Sequence, residues 1–136
     1  MSGEFLDTNV LVYAFSEDRR AERARSLLNS GGATGVQCLN EFVNVALNKL
    51  KMDWDEVNEG LSAIQLLCAV VAPVDLELHR RGLALARRYR LRIYYALIAA
   101  AALEASCNTL WSEDMQNGLV IEGALTIRNP FGSRSA

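Results

Sequence analysis

The chain has 136 residues, of which 51% are hydrophobic and 22% charged, and its formal net charge is -2 at pH 7. This length and composition are typical of one globular domain and exclude a disordered or fibrous chain. Because the net charge is slightly negative, a nucleic-acid partner would have to be held by a local basic patch or by bound cations. No apolar run approaches the roughly 20 residues that span a bilayer, so we predict a cytoplasmic protein with no membrane segment.

The three cysteines are predicted to be free thiols. Cys38, Cys68 and Cys107 are widely spaced and stand beside apolar residues. An odd number of such cysteines indicates core packing in a reducing compartment rather than disulfides or a zinc site.

The first element is a short buried strand that ends at Phe5 and Leu6, and a helix is predicted over residues 10–15. Asp7 lies between the two. Ligands of open α/β sheets bind at the carboxyl ends of strands, which makes this carboxylate a candidate for a functional site. A carboxylate before a helix also serves as an ordinary N-cap, and both interpretations of Asp7 stay open.

The next elements repeat this arrangement. Residues 18–29 have the apolar spacing of an amphipathic helix, and a short strand is predicted over residues 34–39 with Val36 at its centre. Helical spacing resumes over residues 40–50, which places Glu41 in or near the first turn of that helix. The second predicted strand-to-helix junction therefore brings a second carboxylate to the same edge of the sheet.

Two further helices have recognisable first residues. Asp53 with Glu56 three positions later is a capping-box pattern, and it predicts a helix that runs to about residue 67. A buried strand is predicted over residues 69–72, and Asp75 is predicted to cap the helix that follows.

Arginines are concentrated on two of the predicted helices. One group lies in the first amphipathic helix and the other in or just after the helix that Asp75 caps: Arg19, Arg20, Arg23, Arg25, Arg80, Arg81, Arg87, Arg88, Arg90 and Arg92. Such runs are usually solvated faces, and the alternative is contact with phosphate or with an acidic partner. His79 is the only histidine, so a nucleophile triad that depends on histidine is not predicted.

The last part of the chain supplies a third acidic position. Residues 94–105 are apolar nearly all round and predict a central helix, and residues 109–111 predict another strand. Glu113 and Asp114 follow that strand. A short helix and an edge strand over residues 125–127 complete the predicted elements, and both tryptophans are predicted in the core.

Strands that alternate with helices predict a single α/β domain whose parallel sheet is covered on both faces. Residues 1–130 would form this domain, and residues 131–136 a flexible tail. Asp7, Glu41 and Asp114 follow successive strands, and carboxylates that converge repel one another unless a cation neutralises them. Mg²⁺ or Mn²⁺ prefers such oxygen ligands and can activate water for attack on a phosphodiester. The chain contains no glycine-rich nucleotide-binding motif after a strand.

Four segments together resemble the PIN domain family, and within it the VapC toxins of bacterial toxin–antitoxin pairs. They are residues 5–13, 37–44, 96–101 and 110–118. The resemblance implies a three-layer α/β/α sandwich with a short parallel sheet. It also implies a metal-dependent endoribonuclease with RNA as substrate and Mg²⁺ or Mn²⁺ as cofactor. The protein would be a homodimer that a cognate antitoxin inhibits.

The same resemblance assigns roles to individual positions. Asp7, Glu41 and Asp114 match metal-binding, catalytic acids. Polar neighbours of that site are matched by Thr8, Asn9, Asn44 and Ser112. The groove partner would be an amphipathic helix that presents an arginine to the acidic pocket.

Position 95 departs from the family pattern. Family members carry a further acid just before the segment 96–101, and this chain has Tyr95 there. A neutral phenol is a bulky, poor ligand where a hard cation requires an anionic oxygen, so we expect weak metal binding and an impaired enzyme. Tyr95 is interpreted as an inactivating substitution in an otherwise ordinary toxin, and the alternative is a natural variant.

Three functional classes stay open. The first is the ribonuclease toxin, and the second is a non-catalytic module that keeps the fold and binds antitoxin or RNA. The third is a PIN nuclease of RNA processing or DNA repair, which the small size of the chain disfavours. Nothing in the sequence identifies which RNA would be cut.

Overall fold

The structure is a computed structural model, and it describes residues 3–132. This part of the chain contains six strands and six helices, and none of these helices is long and apolar enough to cross a membrane. In chain order the elements are β1 (Glu4–Leu6), α1 (Thr8–Ala14), α2 (Ala21–Asn29), β2 (Gly32–Gly35), α3 (Val36–Asn48), α4 (Trp54–Leu67), β3 (Cys68–Ala72), α5 (Leu76–Tyr89), α6 (Ile93–Glu104), β4 (Thr109–Trp111), β5 (Val120–Ile121) and β6 (Leu125–Arg128).

The six strands form one sheet in the order β3-β2-β1-β4-β6-β5. All neighbouring pairs are parallel except β5 with β6. β1 lies in the interior of the sheet, where Phe5 stands beside Ala33 of β2 and Leu110 of β4. The residues that follow β1 and β4 therefore emerge side by side at one edge, which is the position that the sequence predicts for the acidic site.

Helices cover the sheet in two groups. α5 and α6 pack on each other, and α6 contacts β2, β3, β4 and β6. α1 packs against α2 and α3, and α4 packs against α2 and α3. Between the two groups lies a core in which Phe5, Leu6 and Leu110 are fully buried. The predicted single α/β domain with a mostly parallel sheet between helices is confirmed.

Two helix starts follow directly from local side chains. At α4, Asp53 accepts a hydrogen bond from the N–H of Glu56 (2.8 Å), and the Glu56 carboxylate accepts one from the N–H of Asp53 (2.9 Å). At α5, Asp75 accepts one from the N–H of Leu78 (2.8 Å). These contacts satisfy amides that have no partner within the helix, so the predicted starts are confirmed.

The predicted strand over residues 34–39 is wrong in its second half. β2 ends at Gly35, and Val36 is the first residue of α3 rather than the centre of a strand. The helix starts early because Cys38, Phe42 and Ala46, four residues apart, form its buried face. Glu41 therefore lies in the second turn of α3 and not in the first.

Other boundaries differ because sheet order and local hydrogen bonds were not evident in the sequence. β3 is an edge strand, so Val70 is 46% exposed where a buried strand was predicted. β6 was predicted at the edge of the sheet, but it lies inside because β5 pairs with it. The short helix that was predicted before this strand is absent, since residues 112–119 contain no helix. α2 begins at Ala21 rather than at residue 18, because Asp18 accepts a hydrogen bond from the N–H of Arg20 (2.9 Å) in the preceding turn.

The predicted tail starts at a residue that packs on the domain. The ring of Phe131 lies edge-on against Tyr13, with 5.1 Å between ring centroids. Residues 133–136 of the predicted tail lie outside the described residues.

Candidate active site

The buried carboxylate after β1 is the centre of the site. Asp7 is 3% exposed and is the N-cap of α1. Its Oδ1 accepts a hydrogen bond from the N–H of Thr8 (2.6 Å), and its Oδ2 accepts one from the hydroxyl of Ser112 (2.7 Å). Ser112 is fully buried directly after β4. Asp7 therefore combines the two roles that the sequence left open, a helix cap and a carboxylate at the sheet edge.

Asp7 has an unusual pKa for a carboxyl group. Burial disfavours its charged form and raises the pKa from 3.8 to about 6. The hydrogen bonds from Ser112 and from the N–H of Thr8 lower the pKa, whereas the charges of Asp114 and Glu41 raise it. A cation beside these acids would lower the pKa of Asp7 again, because it would favour the ionised carboxylate.

Asn9 connects Asp7 with the acid that follows β4. Its Nδ2 lies 3.3 Å from Oδ2 of Asp7 and 3.3 Å from Oδ2 of Asp114. The orientation of the Asn9 amide follows from its Oδ1, which accepts a hydrogen bond from the N–H of Glu113 (3.2 Å). One amide donor thus lies between two carboxylates, where it offsets part of their repulsion.

Glu41 is held by two side chains. The hydroxyl of Thr8 donates to its Oε1 (2.6 Å), and Nε2 of Gln37 donates to its Oε2 (3.2 Å). The Gln37 amide also donates to the backbone carbonyl of Tyr94 (3.3 Å), so it links α3 to the start of α6. Gln37 was not predicted as a site residue, although its position four residues before Glu41 on one helix indicates that the two side chains meet.

These acids share one cleft of about 880 Å³. Its lining includes the predicted residues Asp7, Thr8, Asn9, Glu41, Asn44, Tyr95 and Asp114. Ser112 lies beneath it, bonded to Asp7. Asn44 does not join the acidic group, because its Oδ1 accepts a hydrogen bond from Asn48 (2.8 Å) on the outer part of α3.

The donor atoms suit a hard divalent cation, but their arrangement is open. Carboxylates of Asp7 and Asp114 converge on one point, and Glu41 approaches through Thr8. Within residues 3–132, however, no group of three or more His, Cys, Asp or Glu side chains is arranged to hold a metal ion. Tyr95 contributes a phenol to the wall of this cleft. The oxygen chemistry thus suits a hard divalent cation, and Tyr95 adds no carboxylate to it.

Glu113 has a different role from Asp114. Its Oε1 accepts a hydrogen bond from the hydroxyl of Tyr13 (2.7 Å), and its Oε2 forms an ion pair with Nε of Arg20 (3.0 Å). Burial and the neighbouring Glu113 raise the pKa of Tyr13 to about 12. Both oxygens of Glu113 are therefore occupied by protein donors, and Asp114 is the acid that faces Asn9.

None of the arginines within residues 3–132 lines the cleft. Arg25 donates to the carbonyl of Ala14 (2.8 Å), and Arg23 donates to that of Pro130 (3.1 Å). The arginine contacts to RNA stay a prediction. The cation that does line the cleft is Lys49, which the sequence analysis missed.

The sequence matches a known protein family, and the structure is similar to three solved structures. A family model described as PIN domain matches residues 5–116. VapC20 of Mycobacterium tuberculosis, described as a Sarcin-Ricin loop cleaving toxin, is 18% identical, with a TM-score of 0.66 over 82% of this chain and 89% of that one. A chain of a toxin–antitoxin complex from Klebsiella pneumoniae is 22% identical, with a TM-score of 0.69 over 94% and 98%.

A third similar structure is FitAcB from Neisseria gonorrhoeae, which is 22% identical with a TM-score of 0.62 over 93% of this chain and 97% of that one. No curated protein matches the sequence. Identities at this level establish a shared fold.

Proposed function

This chain belongs to the PIN domain family, and we propose that it is a metal-dependent endoribonuclease toxin of a toxin–antitoxin pair, impaired by Tyr95. The observation that carries the proposal is the convergence of Asp7 and Asp114 on the amide of Asn9. Similar structures include a toxin described as cleaving the Sarcin-Ricin loop and a toxin–antitoxin complex, which supports the toxin class.

Asp7, Asp114 and Glu41 are the residues that would hold Mg²⁺ or Mn²⁺. When bound, such an ion neutralises phosphate charge and makes a water molecule more acidic. Ser112 and the N–H of Thr8 orient the Asp7 carboxylate, while Thr8 and Gln37 orient that of Glu41. These fixed donors reduce the reorganisation that substrate binding requires.

Tyr95 is the reason that this chain would be a weak enzyme. It occupies the wall of the cleft at the position where the family carries an acid, and a neutral phenol adds no charge to balance a cation. The proposal treats it as an inactivating substitution. A tyrosine codon at this position in the source gene would identify it as a natural variant instead.

Cleavage of a mixed RNA pool tests the proposal. The original chain is compared with Tyr95→Asp, with Mg²⁺ or Mn²⁺ and with excess EDTA. Tyr95→Asp should cleave RNA and EDTA should stop it, whereas the original chain should cleave little or not at all. Tyr95→Asn is the matched control, because it opens the same space without adding a charge.

If neither Tyr95→Asp nor the original chain cleaves RNA while both are folded, a second candidate gains support, a non-catalytic module with the same fold. The open arrangement of acids within residues 3–132 favours this candidate. A module without chemistry has no need of a cation, so absence of Mn²⁺ binding by Tyr95→Asp would also favour it.

The proposal includes two protein partners. Six acids and one lysine line the cleft within residues 3–132, and this charge would attract an antitoxin helix that presents an arginine. We also expect a cytoplasmic homodimer. Light scattering of the purified chain measures the oligomeric state, and a monomer at micromolar concentration would contradict that expectation.

A further inference from the structure

The side chains of α3 that line the cleft form a stripe leading away from the acids. They are Asn40, Glu41, Asn44 and Val45, and Lys49, the C-cap residue that follows α3, continues the same helical face. Lys49 is eight residues beyond Glu41, so it lies about 12 Å farther along the helix axis. The cleft thus has an acidic inner end and an outer end with a different chemistry.

The outer end offers hydrogen-bond donors. Oδ1 of Asn44 already accepts a hydrogen bond from Nδ2 of Asn48 (2.8 Å), which leaves the amide N–H groups of Asn44 for another acceptor. The ammonium group of Lys49 has neither an ion pair nor a side-chain hydrogen bond among residues 3–132. Donors without acceptors are complementary to a ligand that supplies acceptors, such as phosphate oxygens.

An aromatic ring stands at the mouth of the same cleft. Tyr94 is 66% exposed and lines the cleft in the first turn of α6. The Gln37 amide bonds to the Tyr94 carbonyl, so the backbone that carries the ring is fixed to α3. An exposed aromatic ring on a rigid element is a surface on which an unpaired base can stack, whereas bases inside a duplex cannot reach it.

We propose that the outer end of the cleft binds single-stranded RNA beside the cleavage site, with phosphates on Lys49 and Asn44 and an unpaired base on Tyr94. The inference rests on the proposed function and assigns Lys49, Asn44 and Tyr94 to substrate binding outside the acidic group. Two neighbouring phosphates of one strand would meet donors on α3 while the scissile phosphate lies at Asp7. Lys49 offsets part of the negative charge that the six acids of the cleft present to this strand.

Binding of a fluorescent single-stranded RNA of mixed sequence tests the phosphate contact. Anisotropy is measured with Mg²⁺ at several salt concentrations, and the length of the RNA is checked afterwards on a gel. Lys49→Gln should weaken binding about tenfold, as expected for loss of a charged hydrogen bond. It should also reduce the slope of log affinity against log salt by about 0.7. The matched control is Lys51→Gln, since Lys51 is exposed and does not line the cleft.

The stacking contact has a separate signature. Tyr94→Leu should weaken binding about fivefold or more and leave the salt slope unchanged, because stacking releases no counterions. Trp54→Leu is the control, since Trp54 is an exposed aromatic residue (63%) outside the cleft. All four side chains are exposed, and circular dichroism checks that each variant is folded.

Several outcomes would overturn this inference while leaving the proposed function intact. One is cleavage of RNA by Tyr95→Asp together with equal binding by Lys49→Gln and Lys51→Gln. A second is preference for duplex RNA over the single strand. If Lys49→Gln leaves RNA binding unchanged and tightens binding of an oligoarginine peptide, the outer cleft is a peptide site instead.

Discussion

The hydroxyl of Ser112 donates a hydrogen bond of 2.7 Å to Oδ2 of Asp7, and these two residues directly follow the paired strands β4 and β1. Oγ of Ser112 also accepts hydrogen bonds from the N–H groups of Asp114 (3.2 Å) and Met115 (3.3 Å). One buried hydroxyl therefore joins two strand ends and shapes the turn that carries the second acid. This connection explains why the two acids meet although 107 positions separate them in the printed sequence.

Ser112→Ala should destabilise the protein by about 1 to 3 kcal/mol, because it leaves the buried carboxylate of Asp7 and the N–H groups of Asp114 and Met115 short of a partner. Urea unfolding at neutral pH measures the change. The matched control is Ser62→Ala, at an exposed position of α4, which should alter the free energy of unfolding by less than about 0.5 kcal/mol. Equal effects of the two substitutions would contradict the role of Ser112.

Without divalent cations, the ionisation of Asp7 should destabilise the fold as the pH rises from about 4 to about 6. Its pKa is about 6 in the folded chain and 3.8 as the ordinary value. A raised pKa means that the folded state binds more protons, so stability falls as pH rises between these two values. Asp7→Asn removes the titration and keeps a good N-cap. The free energy of unfolding of Asp7→Asn, measured relative to that of the original chain, should therefore increase by about 3 kcal/mol when the pH is raised from about 3.5 to about 7.

Urea unfolding in EDTA at several pH values measures this difference. A constant difference between the two chains across the pH range would mean that the pKa of Asp7 is ordinary. Adding Mg²⁺ should reduce the difference at pH 7 if the ion binds beside the ionised carboxylate.

Local patterns predicted much of the fold because their contacts are local. The caps of α4 and α5 depend on side chains within three residues, and so they were evident in the sequence. The boundary between β2 and α3 depends instead on where pairing with β1 ends and on which face Phe42 buries. The predicted burial of Trp54 was wrong. Trp54 is the first residue of α4, and its side chain is exposed because this turn of the helix lies at the surface.

The acids of the site were predictable because each lies shortly after a strand: Asp7 after β1, Asp114 after β4, and Glu41 in the helix that follows β2. Of the residues that position these acids, Thr8, Asn9 and Ser112 were predicted from the family resemblance. Gln37 was not, although it lies one helical turn from Glu41 on the same helix. The position of Glu113 and Asp114 after a strand did not distinguish the two acids, and only the family resemblance selected Asp114. Their different roles follow from Arg20 and Tyr13, which occupy both oxygens of Glu113, whereas Asp114 faces Asn9.

The close contact between α5 and α6 depends on Gly82. A Cβ atom at this position would lie 2.6 Å from Cδ2 and 3.2 Å from Cγ of Leu97. Gly82→Ala should destabilise the protein by about 1 to 2 kcal/mol, because overpacking exceeds the gain in helix propensity. In a Leu97→Ala background the same substitution should be neutral or stabilising. Thermal unfolding of the four chains measures the coupling, and additive effects would contradict the predicted clash.

Cation binding should show whether position 95 acts through the charge or through the size of its side chain. Tyr95→Asp adds a carboxylate to the cleft that Asp7, Glu41 and Asp114 already line, so without metal it should melt at a lower temperature than the original chain. Mg²⁺ or Mn²⁺ should then raise its melting temperature more than that of the original chain or of Tyr95→Asn, because a ligand stabilises the state that it binds. Gln65→Glu, at an exposed position of α4, adds the same charge outside the cleft and should show no such effect.

The second substitution Asp114→Asn identifies where the ion binds. In the Tyr95→Asp background it should remove most of the stabilisation by Mn²⁺, because it replaces one of the two carboxylates that converge on Asn9. A matched Glu113→Gln should retain it, since Arg20 and Tyr13 already occupy the oxygens of Glu113. If Glu113→Gln loses the stabilisation and Asp114→Asn keeps it, the assignment of the two acids after β4 must be reversed.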